Sequence, residues 1–319
     1  MMTMLPILTT PLGNLYEGDC IEVMKAQEAE TVDLAFADPP FNLKKLYTSK
    51  ISDDRAEAEY LHWCKEWIDE MIRILKPGGA LFLWNLPKWN LPLGAYAGEK
   101  LTFRHWVSVD IKYSLPIQGR LYPSHYSLLY FIKGKKPAIF HPDRIPTPGC
   151  RHCGGEIKDY GGYKDKMNPK GVNLSDVWTD IPPVRHARHK RRDANALSLK
   201  LMDRILTIAS DPGSLVWDPF GGSGTTFAAA ELLGRRWGGS ELECSDILAR
   251  FDRLDDDQEY LTEIHANKNV LFTAADLKRR KSHGKPLSAE YRVNGDGHAH
   301  VPVKVGKPRK APDTPLLGL

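Results

Sequence analysis

Residues 214–226 read SLVWDPFGGSGTT: a short apolar run, an aspartate, three glycines within four positions and two threonines. The run 214–217 has strand composition, and the threonines open a segment, 228–233, that reads as a helix. A strand that enters a glycine-rich turn and leaves as a helix suits a nucleotide-like ligand. Glycines let the backbone approach closely, and the first helical N–H groups are free donors. The plain alternative is a tight turn between strand and helix.

The letters narrow the ligand further. A phosphate-binding loop needs a lysine after its last glycine, where Thr225 stands, and GGSGTT does not supply the G-x-G-x-x-G of a dinucleotide site. What remains is a ligand with a carboxylate, an amine and a ribose but little phosphate, a description that S-adenosylmethionine fits. Asp218, Pro219, Phe220, Gly221, Gly222, Gly224 and Thr225 are its candidate contacts. Seventeen residues past Gly224, Glu241 lies in a strand-like piece, 236–242, where a carboxylate can accept from both ribose hydroxyls. A helix over 197–210 precedes the whole unit.

Far upstream, Val32–Ala37 (VDLAFA) reads as a buried parallel strand stopped by Asp38-Pro39-Pro40-Phe41. Helical spacing over 57–75 ends at Lys76-Pro77-Gly78-Gly79, and 80–84 (ALFLW) is the next strand. Strand, helix, strand is the order that builds a parallel sheet. Segments 106–113 and 125–132 have strand composition and are expected to pair as a hairpin at one edge.

The four residues 38–41 suit one chemical problem. The nitrogen of an exocyclic amine on a nucleobase has its lone pair delocalised into the ring and is a poor nucleophile. Two acceptors on the same NH2 group, the Asp38 carboxylate and the Pro39 carbonyl, would localise that pair, and Pro39-Pro40 hold the carbonyl rigidly. Phe41 offers a face on which a base taken from the duplex can stack.

With both motifs in view, the chain resembles the DNA amino-methyltransferases that act on adenine N6 or cytosine N4. Their (D/N/S)PP(Y/F/W) motif is matched by DPPF at Asp38, and their cofactor loop by DPFGGSGTT at Asp218. The order, catalytic motif first, resembles the circularly permuted beta arrangement, and the likeness runs from about Asn14 to Asp252. It implies an α/β fold: a doubly wound, Rossmann-like methyltransferase sheet with S-adenosylmethionine as cofactor and a recognition lobe inserted. It also makes Asp19, Cys20 and Asp38 candidate cofactor contacts, and 173–178 (NLSDVW) the stretch leading to the cofactor's methionine end. Residues 235–241 look like the ribose-binding strand, although Gly239-Ser240 is more polar than the pair expected there. An aspartate heading the first motif implies adenine N6 as the target, with cytosine N4 as the alternative and an RNA or protein-amide methyltransferase as a competing class. Cytosine-C5 chemistry needs a cysteine nucleophile, usually after proline, and the chain has no Pro-Cys pair.

Between the two motifs, 142–192 is rich in Gly, Pro, His, Lys and Arg and reads as an irregular target-recognition lobe dividing catalytic (1–141) from cofactor-binding (193–275) halves. Arg185, His186, Arg188, Lys190, Arg191 and Arg192 are candidate phosphate contacts, read against a solvated basic loop. Cys150 and Cys153 form a C-x-x-C turn that could give two ligands to a structural zinc, with His186 and His189 the only nearby second pair; reduced cysteines in a loop are the other reading. The other cysteines are scattered and the total of five is odd, as expected in a reducing compartment.

Net charge is +4, but residues 276–319 hold ten Lys or Arg against four Asp or Glu, leaving the rest at −2. This basic tail is expected to be disordered. No apolar run is long enough to span a bilayer, and residues 1–10 do not read as a signal peptide, so a cytoplasmic, nucleoid-associated address is expected. Expected partners are DNA, a second copy of the chain and a companion restriction endonuclease.

Overall fold

The computed structural model describes residues 4–43, 54–111, 118–119, 121–142, 144–145, 172–181, 197–266 and 282. The chain divides into two units, Met1–Asp143 with Leu174–His265, and Arg144–Asn173 with Ala266–Leu319.

In chain order the first unit runs β1 (Leu8–Thr9), β2 (Gly13–Glu17), α1 (Cys20–Lys25), β3 (Val32–Ala37), α2 (Glu57–Ile74), β4 (Leu75–Asn85), α3 (Pro87–Gly98), β5 (Thr102–Asp110) and β6 (His125–Ile132). In the second unit, β7 (Arg144–Ile145) and β8 (Val172–Asn173) pair antiparallel. The first unit resumes with β9 (Val177–Trp178), α4 (Leu199–Ala209), β10 (Leu215–Asp218), α5 (Thr225–Leu232), β11 (Arg236–Glu241), α6 (Ser245–Phe251) and α7 (Leu254–Ala266).

Among the described residues nine strands form one sheet, ordered β1-β2-β11-β10-β3-β4-β6-β5-β9. The five from β2 to β4 are parallel neighbours, and β6 runs antiparallel between β4 and β5. The expected 106–113/125–132 hairpin therefore forms, but β6 lies inside the sheet and the two-residue β9 closes the edge beside β5.

Alternation along the central strands splits the core into two layers. Leu34 and Phe36 face one side with Phe82 and Trp84, whereas Ala35 and Ala37 face the other with Leu81 and Leu83. The first layer is closed by α4, α5 and α7 through residues such as Ile205, Phe227 and Leu261. The second is closed by α1, α2 and α3. Along α2 the positions Tyr60, Cys64, Trp67, Ile68, Met71 and Ile74 recur at helical spacing, and all are at most 1% exposed. At about 1.5–3 kcal/mol for each large apolar side chain fully buried, this stripe is what holds α2 on the sheet.

The helix after β10 packs on one layer and the helix after β3 on the other. The adjacent strands β10 and β3 thus send their chains in opposite directions, and open α/β sheets bind their ligands outside the carboxyl ends at such a switch point. Both singled-out motifs lie there. The glycines of β11 also gain a reason: a Cβ on Gly238 would sit 2.5 Å from the Trp217 ring, and one on Gly239 would sit 2.0 Å from the Asp218 carbonyl oxygen. Neither position has room for a side chain, and the Ser240 hydroxyl donates to the Pro219 carbonyl at 3.0 Å.

Candidate active site

Register places the two motifs side by side, with Val216 opposite Leu34 and Trp217 opposite Ala35, so Asp218 and Asp38 leave neighbouring strand ends. Asp38 is half-buried and Pro39 buried. The next two carbonyls are tied down. Pro40 accepts from the Tyr60 hydroxyl at 2.7 Å, and Phe41 accepts from the Trp89 indole N–H at 2.7 Å. The Tyr60 hydroxyl in turn accepts from Asn85 Nδ2 at 3.2 Å. Tyr60, Asn85 and Trp89 are 1%, 1% and 3% exposed. The Pro39 carbonyl, by contrast, accepts from no described residue. Two clamps, Tyr60 of α2, itself held by Asn85 at the end of β4, and Trp89 of α3, thus fix the loop that follows Asp38 and Pro39.

Phe41 differs from expectation. Its ring is only 8% exposed and packs at 5.9 Å from Tyr126 rather than presenting an open face. Tyr126, against which it packs, lies in turn 4.9 Å from Trp84 at the strand ends. Tyr126 stays half-buried, and burial with the nearby Asp38 charge raises its hydroxyl pKa. Sequence reading passed over Tyr126, Tyr60, Asn85 and Trp89; the helical stripe could have flagged Tyr60 as inward-facing, but not what its hydroxyl meets.

Replacing Tyr60 by Phe should leave the Pro40 carbonyl and the Asn85 amide short of a partner, at a cost of about 1–3 kcal/mol. Chemical denaturation checks this; a variant as stable as the parent would show that the clamp holds nothing.

In the glycine-rich loop Asp218 is 1% exposed and accepts from the Phe220 N–H at 2.9 Å and the Thr226 hydroxyl at 2.5 Å. Gly222 (φ 55°) and Gly224 (φ 75°) adopt left-handed backbone, so the turn requires glycine there. The Gly222 N–H donates to Glu241 Oε2 at 2.6 Å, and the Leu242 N–H donates to Oε1 at 2.9 Å. Glu241 therefore stands at the end of β11 against the loop. The Gly18 N–H donates to the Glu241 carbonyl at 3.0 Å, which brings the start of α1 alongside. There Asp19 caps the helix, with Oδ1 accepting from Ile21 N at 2.9 Å and Glu22 N at 3.2 Å, and Cys20 is buried with its thiol pKa raised mainly by that burial. Pro219 accepts from the Ser240 hydroxyl at 3.0 Å, and Phe220 packs edge-on against Trp63 and Trp67.

One tie was not legible in the sequence. Arg250 of α6, 5% exposed, donates to the Ser223 carbonyl at 3.1 Å and the Thr225 hydroxyl at 2.7 Å, and forks onto Asp257 of α7 at 2.7 and 3.1 Å. A buried guanidinium thus holds the last turn of the loop.

Burial pushes the Asp218 carboxyl up to about 7, against the pull of its bonds from Thr226 and Phe220, and Glu241 adds to the rise. A carboxyl at about 3.9 when unfolded and higher when folded binds its proton more tightly in the native state. Its contribution is therefore most favourable below about pH 4 and is lost as pH rises through about 7. Asp218→Asn should accordingly gain melting temperature relative to the parent between pH 5 and pH 8; parallel pH profiles would contradict the assignment.

The structure thus gathers Asp38, Pro39, Pro40 and Phe41 with Asp218, Pro219, Phe220, Gly221, Gly222, Gly224, Thr225, Glu241, Asp19 and Cys20 at one end of the sheet. Arg185, His186, Arg188, Lys190, Arg191 and Arg192, and the pair Cys150 and Cys153, lie outside the described residues. Among the described residues no cluster of three or more His, Cys, Asp or Glu could hold a metal, so zinc has no support from them. No described helix is long and apolar enough to cross a membrane.

Comparison with known proteins agrees with this geometry. The family model for the N6/N4 DNA methylases matches residues 32–247. Type II methyltransferase M.BamHI of Bacillus amyloliquefaciens is 52% identical over 295 residues, covering 92% of this chain and 70% of that protein. DNA adenine methyltransferase YhdJ of Escherichia coli (strain K12) is 30% identical over 291 residues, 86% of this chain and 91% of that one. Among solved structures, the PvuII DNA methyltransferase (cytosine-N4-specific) superposes with a TM-score of 0.58 at 20% identity, covering 81% of this chain and 93% of its own.

Proposed function

The chain belongs to the N6/N4 DNA methylases, and from that premise we propose that it methylates the exocyclic amine of a base in DNA, drawing on S-adenosylmethionine and using Asp38 with the Pro39 carbonyl to orient the amine. The observation that carries this reading is that Asp38 and Pro39 leave the end of β3 beside the strand that ends at Asp218, while Tyr60 and Trp89 tie down the next two carbonyls.

The donor set at the strand ends fits the cofactor. Glu241 and Asp19 offer carboxylates suited to ribose and adenine, and the loop from Gly221 to Gly224 offers close backbone without a phosphate-seeking lysine. When bound, S-adenosylmethionine supplies an electrophilic methyl group on a sulfonium. The chain's own part is positional: Asp38 and Pro39 each accept one N–H of the amine, which turns the nitrogen lone pair out of the ring plane. Asp38 then holds or passes on the proton that the amine must shed. No covalent bond to the protein is needed.

Adenine N6 is the target that an aspartate at the head of the motif suggests, and the name of YhdJ supports it. Cytosine N4 is the second reading, supported by the name of the PvuII enzyme and by a family that takes its name from both amines. Digesting methylated DNA to nucleosides decides between them by mass: N6-methyladenosine, N4-methylcytidine (both as deoxynucleosides), or neither, which would overturn the proposal. Contacts from Arg185, His186, Arg188, Lys190, Arg191 and Arg192 to phosphates belong to the same reading, as does a companion endonuclease, which the Type II designation of M.BamHI supports.

A further inference from the structure

A base that reaches Asp38 leaves a hole in the duplex, and two exposed side chains, Leu121 and Tyr122, precede the strand β6 that starts at the same end of the sheet as Asp38. The connection from β5 to β6 emerges beyond the same end of the sheet as Asp38. Ser127 pairs with Asn85, the last residue of β4, so His125 and Tyr126 already project past that edge. The chain before them, 121–124, is exposed throughout. Leu121 is 94% exposed, more than any other large hydrophobic among the described residues, and the adjacent Tyr122 is 51% exposed.

Single exposed leucines are ordinary on protein surfaces. Two consecutive large side chains, one aliphatic and one aromatic, four and five residues ahead of a tyrosine that feels the Asp38 charge, are a more specific arrangement. Four and five residues of extended chain span at most about 14 and 18 Å, so the pair stays within that reach of Tyr126. Exposure of this kind costs solubility, and a nucleic-acid base stack is the apolar environment that this end of the sheet would meet.

Building on the methyltransferase reading, we propose that Leu121 and Tyr122 form a wedge that enters the base stack and fills the space left by the target base. The wedge offsets part of the cost of unstacking, a few kcal/mol per step, while Tyr126 and Trp84 line the approach to Asp38.

The test compares the Leu121→Ala/Tyr122→Ala double variant with the parent on two duplexes, one normally paired and one carrying an abasic position opposite the target base. The abasic duplex needs less help to open. The expected result is a fall in kcat/KM of about tenfold or more on the paired duplex and about twofold at most on the abasic one, a difference set by the stacking energy recovered. Leu121→Met/Tyr122→Phe should restore most of the loss. Equal losses on both duplexes, or none on either, overturn the wedge. So would a change in sedimentation of the double variant without DNA, which would assign the patch to a second copy of the chain. A parent enzyme that methylates neither duplex would instead fail the methyltransferase reading itself.

Discussion

Asp38→Ala is expected to reduce methyl transfer by about 10²- to 10⁴-fold, the range for a positioned group that acts on a transferring proton. The residue leaves the end of β3 half-buried, and the carbonyls that Tyr60 and Trp89 hold are those of Pro40 and Phe41, so its removal takes away one of two acceptors while both of those bonds remain. Cofactor affinity should change little, because the Gly222, Glu241 and Asp218 hydrogen bonds sit on β10 and β11 and their loop. Single-turnover transfer of labelled methyl, read beside calorimetric titration of S-adenosylmethionine, separates the two effects. Asp38→Asn keeps one acceptor oxygen and should fall between parent and Ala. A residual rate for the Ala variant within tenfold of the parent would remove Asp38 from the centre, since a hydrogen bond to a charged carboxylate is worth about 1.5–3 kcal/mol and tenfold in rate is about 1.4.

Much of this site could be read from letters because its chemistry sits where local structure changes. A strand that stops at Asp38-Pro39-Pro40, and another that stops at Asp218 before three glycines, advertise their ends by composition alone. That the two ends adjoin is a matter of strand order across 180 residues, and family resemblance rather than periodicity supplied it. What escaped is of another kind. Tyr60 reads as one more residue of a buried stripe, and nothing in its spacing says that its hydroxyl reaches Pro40. The helix α3 carries Pro92 in its interior, and a proline there reads as a breaker; the helix stands because Trp89, Leu93 and Ala97, spaced by four, bury one face against the sheet. Phe41 reads as a face for a base to stack on, and its packing against Tyr126, which leaves it 8% exposed, depends on a residue about 85 positions away. The two-residue strand β9 is too short for any pattern to show.

Arg250 makes the sharpest case for an effect that only three dimensions reveal. Replacing it by Ala leaves Asp257, 6% exposed, without the forked partner that holds it, and breaking a buried pair in this way costs about 3–5 kcal/mol. Urea denaturation should show that loss. The same change frees the Ser223 carbonyl and the Thr225 hydroxyl, so the glycine-rich loop loses its hold from α6 and cofactor affinity should weaken as well. The two consequences can be separated. In Arg250→Met/Asp257→Leu no charge is left buried, and apolar replacement of a buried pair is often close to neutral; stability should largely return. Affinity for S-adenosylmethionine should not, because neither new side chain can donate to Ser223 or Thr225. If affinity recovers together with stability, Arg250 serves the core alone. If only stability recovers, the guanidinium sets the shape of the loop, and the cofactor site extends two helices past the glycines that first disclosed it.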